Sequence, residues 1–453
     1  MKRFLILIAA VLCPFFLIGQ NVLSALDEMY VVAKGDTWES VATSRGITVE
    51  ELRTANPDIR NKKKLKKGML LIVPQEAPLD SPTLPDAQTN DGNESSINVS
   101  SDGTSLIRTS VSHLKVGVLL PFTDKKMVEF YRGLLMAADN IRRSGINLDI
   151  YAWDSGSTAA QVEPLLPGLK GLDIVFGPAS ALQVQPVVEA CREARVRLVL
   201  PFWIGQTSID YPLLYNVAAS NAVLFDVAAT KLASYFRERN FVVVRSSSAD
   251  NRGRILTDVL TRKLSELNLP FRELKIEGDD FAYEAAFNQF KDNVVVVDDS
   301  SIPSLTVLMS RLKDFGGKHP KYRFSLLGYA GWQEETERLI DDFFACDTYI
   351  VSPYYYNVLD DRIKAFESDY LSGFNTPIVQ NVPRYAAWGY DLATYFLAGI
   401  GSLGDTFEQM QVSLRQEPLQ SVYRFERSAA PGFTNQFVQF VHFTTDSKIE
   451  LIR

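Results

Sequence analysis

Reactive side chains are scarce in this chain of 453 residues. It has three histidines, His113, His319 and His442, and three cysteines, Cys13, Cys191 and Cys346. Their spacing fits neither a metal-ligand set nor a nucleophile beside a base. "DSGS" at Asp154–Ser157 lacks the pattern of a nucleophile elbow. Carboxylates are plentiful, yet no pair is singled out for acid–base work. The chain is therefore read as non-catalytic, with no cofactor and no metal. It does offer polar groups just beyond apolar strands. "DIVFGPAS" puts Ser180 at the start of a helix, where free N–H groups and the helix dipole favour an anion such as a carboxylate. "WDSGS" adds Asp154 and Ser155, and "LPFWIGQTS" adds Trp203, Thr207 and Ser208. "RSSSAD" adds Ser246, Ser248 and Asp250. Such groups suit recognition of a ligand rather than turnover.

The elements that must position these residues alternate regularly from Lys115 onward. "KVGVLLPF" reads as a buried strand, and "MVEFYRGLLMAADNIRRSG" as a helix stopped by Gly145. "LDIYAWDS", "LDIVFGPAS" and "VRLVLPF" are further strands, separated by the helices "AAQVEPLLPGLKG" and "ALQVQPVVEACREAR". The rhythm restarts after "YNVAAS", with strands "FVVVRSSS", "NVVVVDDSS" and "YRFSLLGY" between long amphipathic helices. Continuous apolar strands alternating with helices predict parallel sheets covered on both faces. Two such blocks predict two doubly wound lobes, with ligand groups gathered at the carboxyl ends of the strands.

The N-terminus differs in character. "MKRFLILIAAVLCPFFLIGQ" has a basic start and a short apolar run containing Pro14, the layout of a secretory signal ending near Gly19. Cys13 raises lipidation as the alternative to plain cleavage. No other stretch is long and apolar enough to cross a bilayer, so the mature chain is expected to be soluble and exported, in the periplasm or cell envelope. Net charge is −7 and the basic residues form no single stripe, so nucleic acid is not an expected partner. Beyond the signal only Cys191 and Cys346 remain, as two buried thiols or one long-range disulfide. Residues 76–114 are rich in Ser, Pro, Asp, Asn and Thr and poor in aromatics. They cannot bury enough apolar surface to offset chain entropy and read as a flexible acidic linker.

Between signal and linker lies a compact basic module over residues 30–75, in the order strand, helix, helix, strand. Asp36 is placed to cap the first helix, and Thr48 with Glu51 to form a capping box on the second. Trp38, Val41 and Ala42 share one helical face, so Trp38 reads as core. "YVVAKGDTWESVA", "ITVEELRTANP" and "LKKGMLLIVP" resemble the LysM domain in order and spacing. That resemblance implies binding of the N-acetylglucosamine-containing chains of peptidoglycan or chitin. The groove it implies is formed by Gly35, Asp36 and Thr37 with Asn56, Pro57, Asp58 and Ile59. Asp36 and Asn56 also have a plain reading, as a cap and a turn residue.

From Lys115 to Arg453, "KVGVLLPF", "YRGLLMAADNI", "WDSGS", "YAAWGYDLATYFLAGI" and "GFTNQFVQFVHFTTDSKIELI" resemble the type I periplasmic binding proteins, exemplified by receptors for branched-chain amino acids. The resemblance implies two lobes, about 115–219 plus 352–402 and about 220–351 plus 403–453. It also implies a cleft with Asp154, Ser180 and Thr207 on one side and Ser246 to Asp250 on the other. Phe202 and Trp203 stand where amino-acid receptors usually carry small polar residues, which argues against an amino-acid ligand. "PYYYN" at Pro353–Asn357 is aromatic enough for a sugar platform, although core aromatics are routine in such folds. The expected partners are peptidoglycan and either a small solute, sensed or captured in the cleft, or an envelope protein. In the second case the domain resembles the outer-membrane activators of penicillin-binding proteins, with a degenerate cleft. A wall hydrolase is the least favoured reading.

Overall fold

In a computed structural model of the chain, the described residues are 28–32, 35–44, 48–54, 56, 64–65, 70–73, 110–202, 210–427 and 432–453. The expected signal sequence with Cys13, most of the acidic linker, Pro57, Asp58, Ile59, Trp203, Thr207 and Ser208 lie outside them. The chain separates into two units, divided at Asn93 and Glu94. No helix among the described residues is long and apolar enough to cross a membrane.

The first unit has the expected β-α-α-β order. Strand β1 (Glu28–Val31) pairs antiparallel with β2 (Leu70–Val73), and helices Trp38–Ser44 and Val49–Thr54 lie between them in sequence. Val32, Trp38, Val41, Ala42, Leu52 and Leu71 form the core, so the indole at position 38 is structural. Thr37 and Ser40 cap the first helix reciprocally, the Ser40 N–H donating to Thr37 Oγ1 at 3.1 Å and the Thr37 N–H to Ser40 Oγ at 2.9 Å. A reciprocal hydroxyl pair thus satisfies backbone N–H groups at the start of this helix.

The second unit consists of two seven-stranded sheets. The first contains β3 (His113–Leu120), β4 (Asn147–Asp154), β5 (Ile174–Phe176), β6 (Arg197–Leu200) and β7 (Leu214–Asn216). The second contains β8 (Asn240–Arg245), β9 (Phe271–Lys275), β10 (Asn293–Val297), β11 (Phe324–Tyr329) and β12 (Thr348–Ser352). All of these pair in parallel within their sheets. The reason is legible in β10, where every residue of Asn-Val-Val-Val-Val is buried between helices on both faces.

Four late strands complete the two sheets: β13 (Phe425–Arg427), β14 (Phe433–Asn435), β15 (Gln439–Phe443) and β16 (Ile449–Ile452). The sheet orders are β13-β14-β7-β6-β5-β3-β4 and β16-β15-β12-β11-β10-β8-β9. This corrects the expected lobe boundary, because β13 and β14 belong to the first lobe and not the second. Phe433 pairs with Tyr215 across the ladder and stacks on its ring at 4.9 Å. The chain therefore crosses between lobes at 217–220, 353–360 and 436–438.

Three further differences have local causes. Pro164 and Pro167 turn most of the expected helix "AAQVEPLLPGLKG" into a 3-10 segment, Glu163–Leu169. Strand β9 and helix Asp280–Ala286 carry short, mixed patterns and were not anticipated. The disulfide alternative fails because Cys191 and Cys346 are free and buried in the cores of different lobes.

The first lobe is held by the crossing of helices Lys125–Arg143 and Tyr385–Ala393. A Cβ added to Gly133 would overlap the carbonyl oxygen of Ala386, and one on Gly389 that of Phe130. Only glycine permits this approach. Two residues further on, buried Asp391 accepts the N–H groups of Leu419 at 2.7 Å and of Gln420 and Ser421 at 2.9 Å, pinning that loop. Burial pushes its carboxyl up to about 7, against the three donors that favour the anion.

Candidate functional site

In the first unit, Gly35 and Thr37 are exposed and Asp36 is half-buried, on a turn whose Gly35 φ of +104° favours glycine. Asn56 is only 6% exposed. Its amide donates to the Leu52 carbonyl at 2.7 Å, ending the second helix. Arg53 lies over the Trp38 ring at 4.7 Å. The loop Gly35–Thr37 is thus the accessible part of the expected groove among the described residues.

In the second unit the strand ends bring the expected polar residues to the same end of each sheet, but most are already engaged there. In the first lobe, Asp154 Oδ1 accepts the N–H groups of Phe122 at 3.2 Å and Gly156 at 3.1 Å, so it clamps two loops. Ser155 is fully buried, and its carbonyl accepts Gln183 Nε2 at 2.6 Å. Ser180 makes no side-chain cap on helix Ala181–Ala194 and instead donates to the Ser157 carbonyl at 2.5 Å.

The second lobe contains a denser network. Asp299, 1% exposed, accepts hydroxyls from Ser304 at 2.6 Å and Ser248 at 2.7 Å, and the Ser301 N–H at 2.9 Å. Ser246 donates its N–H to Asp298 at 2.7 Å, and its hydroxyl lies 3.0 Å from that of Ser248. Asp250 caps helix Asn251–Glu266 through the Gly253 N–H at 2.6 Å and also accepts the Ser300 hydroxyl. Burial opposes the charge on Asp299, but the Ser304 and Ser248 hydroxyls and the Ser301 N–H outweigh it and hold the carboxyl at about 2. Trp332 closes the back of the network by donating Nε1 to the Ser300 carbonyl at 2.9 Å.

Aromatic groups occupy the facing end of the first lobe. Phe202 packs on Phe130 at 5.2 Å and Trp388 at 5.1 Å, with Tyr385 at 6.1 Å. Lys126 lies 5.7 Å from the Tyr385 ring centre. Burial pushes the Tyr354 phenol up to about 12; Glu334 and Tyr385 add to this while Arg252 opposes it. Tyr354, within the second crossing, is therefore within electrostatic reach of both lobes. Sequence reasoning missed Asp298, Asp299 and Ser304; the signal was the run "DDSSIPS" directly after β10.

The histidines lie elsewhere. His442 Nε2 is 2.7 Å from Asp347, while Ser325 donates to the other oxygen of the same carboxylate. The hydroxyl and the imidazole are thus separated by the carboxylate rather than bonded to each other, which is not a nucleophile–base pair. Among the described residues there is no group of three or more His, Cys, Asp or Glu placed to hold a metal.

Residues 30–74 match the family model of the LysM domain. No curated protein matches the sequence. Among solved structures, a branched-chain amino acid ABC transporter protein from Rhodospirillum rubrum is similar at 14% identity with a TM-score of 0.53, over 75% of this chain and 100% of that one. Full-length LpoA from Haemophilus influenzae is similar at 12% identity with a TM-score of 0.50, over 76% of this chain and 60% of that one. At these identities the likeness is one of fold, that of two-lobed type I substrate-binding proteins.

Proposed function

We propose that this protein is a non-catalytic component of the cell envelope, anchored to N-acetylglucosamine-containing glycan through residues 30–74 and presenting its two-lobed domain as a protein-binding regulator beside the wall. The glycan assignment rests on the LysM match, together with an exposed Gly35–Thr37 loop on a core that uses Trp38 for packing. The platform reading rests on one observation: the described polar residues expected to meet a solute are bonded within their own lobe. A small polar ligand would have to compete with bonds already made. An anchor also suits a fixed regulator better than a carrier that must diffuse. Capture of a solute is the second reading, supported by Tyr354 and Tyr385 lying near Arg252 and Lys126.

Co-sedimentation of the full chain with purified peptidoglycan tests the anchor. Binding at moderate salt should be competed by N-acetylglucosamine oligomers, and should be lost in Trp38→Ala, whose core collapses. A chain that stays in the supernatant refutes the anchor. Native mass spectrometry of protein purified from exporting cells separates the two readings of the large domain. A stoichiometric small molecule retained by the chain would replace the platform with solute capture.

A further inference from the structure

Helix Asn221–Tyr235 carries a half-buried lysine that no carboxylate neutralises among the described residues. Lys231 Nζ donates to the carbonyls of Val438 at 3.0 Å and Ile452 at 3.2 Å, and lies 5.0 Å from the Phe440 ring centre. Val438 belongs to the third crossing, so this ammonium ties the second lobe to the segment that arrives from the first. The same side chain lines a groove of about 610 Å³ together with Arg424 and Arg453.

Those two guanidiniums belong to different lobes. Arg424 directly precedes β13 of the first sheet, and Arg453 follows β16 of the second. Asp226, the one side-chain carboxylate on the groove wall, already lies 3.5 Å from Arg262 and 3.4 Å from Lys263. Positive charge is in excess, with Lys231, Arg424 and Arg453 against this single carboxylate. Burial lowers the Lys231 pKa, and the Arg424 charge lowers it further, as expected for cations that repel across a shared space. Ser234 and Gln436 add neutral donors to the same wall.

We propose that this groove is an anion site for a phosphate group, bridging Arg424 of the first lobe and Lys231 of the second. A planar guanidinium suits a tetrahedral oxyanion because it presents paired N–H donors, and the ammonium adds a point charge. The volume exceeds that of a bare ion and admits a hydroxylated carrier, so the phosphate is either free or attached to a sugar. Because the ligand would touch both lobes beside a crossing, its binding would fix their separation on the hinge side.

The test is isothermal titration of the full chain with inorganic phosphate and with a hexose 6-phosphate, at ionic strength held constant with sodium chloride. Saturable one-to-one binding is expected, weakened about tenfold or more in Arg424→Gln, the scale of one lost charge-assisted contact. Tighter binding of the hexose phosphate assigns a sugar carrier; equal affinity assigns the free ion. Arg424 is exposed, so its variant should fold normally, and an unchanged circular dichroism spectrum checks this. Amide exchange at 436–438 should slow on phosphate binding in the parent and not in the variant. No saturable binding, or equal binding by parent and variant, would overturn the site.

Discussion

Asp299→Asn removes the charge at the centre of the second lobe's polar network while keeping its shape. In the folded chain the carboxyl is held at about 2, against an ordinary 3.8. At ~1.36 kcal/mol per pH unit this corresponds to roughly 2 kcal/mol of folding stability at neutral pH. A carboxyl with a lowered folded pKa stabilises fully above its unfolded pKa and loses that contribution as pH falls through its folded pKa. The stabilisation should therefore be complete above about pH 4 and gone near pH 2. Asparagine keeps one acceptor oxygen, so about 2 kcal/mol should be lost at pH 7. Urea unfolding of parent and variant at pH 7, 4 and 2.5 gives the comparison, with the difference shrinking toward the lowest pH. Amide exchange localises the effect, because this one carboxylate joins Ser248, in the loop after β8, to Ser301 and Ser304 at the start of helix Ile302–Lys318. Equal stability at pH 7, or a difference that does not change with pH, would refute the argument that hydroxyl and amide donors outweigh burial here.

Two other outcomes follow from packing. Gly389→Ala drives a methyl into the carbonyl oxygen of Phe130, a backbone atom that cannot swing away, so the first lobe should lose about 3 kcal/mol or more, read as a lowered thermal midpoint. A variant as stable as the parent would mean that the two helices separate freely. Burial pushes the thiols of Cys191 and Cys346 up to about 12, so neither should react with a thiol-specific disulfide reagent at pH 8 until denaturant is added. Prompt labelling of the native chain would show that these cores open.

Much of the architecture was legible because its signals are local. The valines of β10, the alternation of strand and helix, and the small module's Trp38, Val41 and Ala42 face all follow from residue type and spacing. Pairing between distant segments is not local, and that is where the sequence reading erred. Nothing near Phe433 says that it will stack on Tyr215, so of the strands after residue 403, β13 and β14 join the first lobe against expectation, whereas β15 and β16 lie in the second as expected. The candidate site shows the same division. Strand-end position predicted where Asp154, Ser180, Ser246, Ser248 and Asp250 would lie. Their use depends on partners such as Ser157, Asp299 and Ser300, supplied by other segments. Phe202 was noted as unusual, and only the crossing helices reveal that its ring is taken up by Phe130, Tyr385 and Trp388.

The three crossings also govern how the chain can be made. The first lobe needs β13 and β14, and the second needs β15 and β16, so the first sheet is incomplete until Asn435 has been synthesised and the second until Ile452. A growing chain still lacking β13 to β16 would hold two unfinished sheets: β7 would lack its neighbour Phe433, and β12 would lack β15. The lobes therefore cannot mature one after the other like beads on a string, and cutting between them yields no intact half. Such interleaving couples the folding of the two lobes. Loss of the closing strands would leave both open edges available for pairing with other chains.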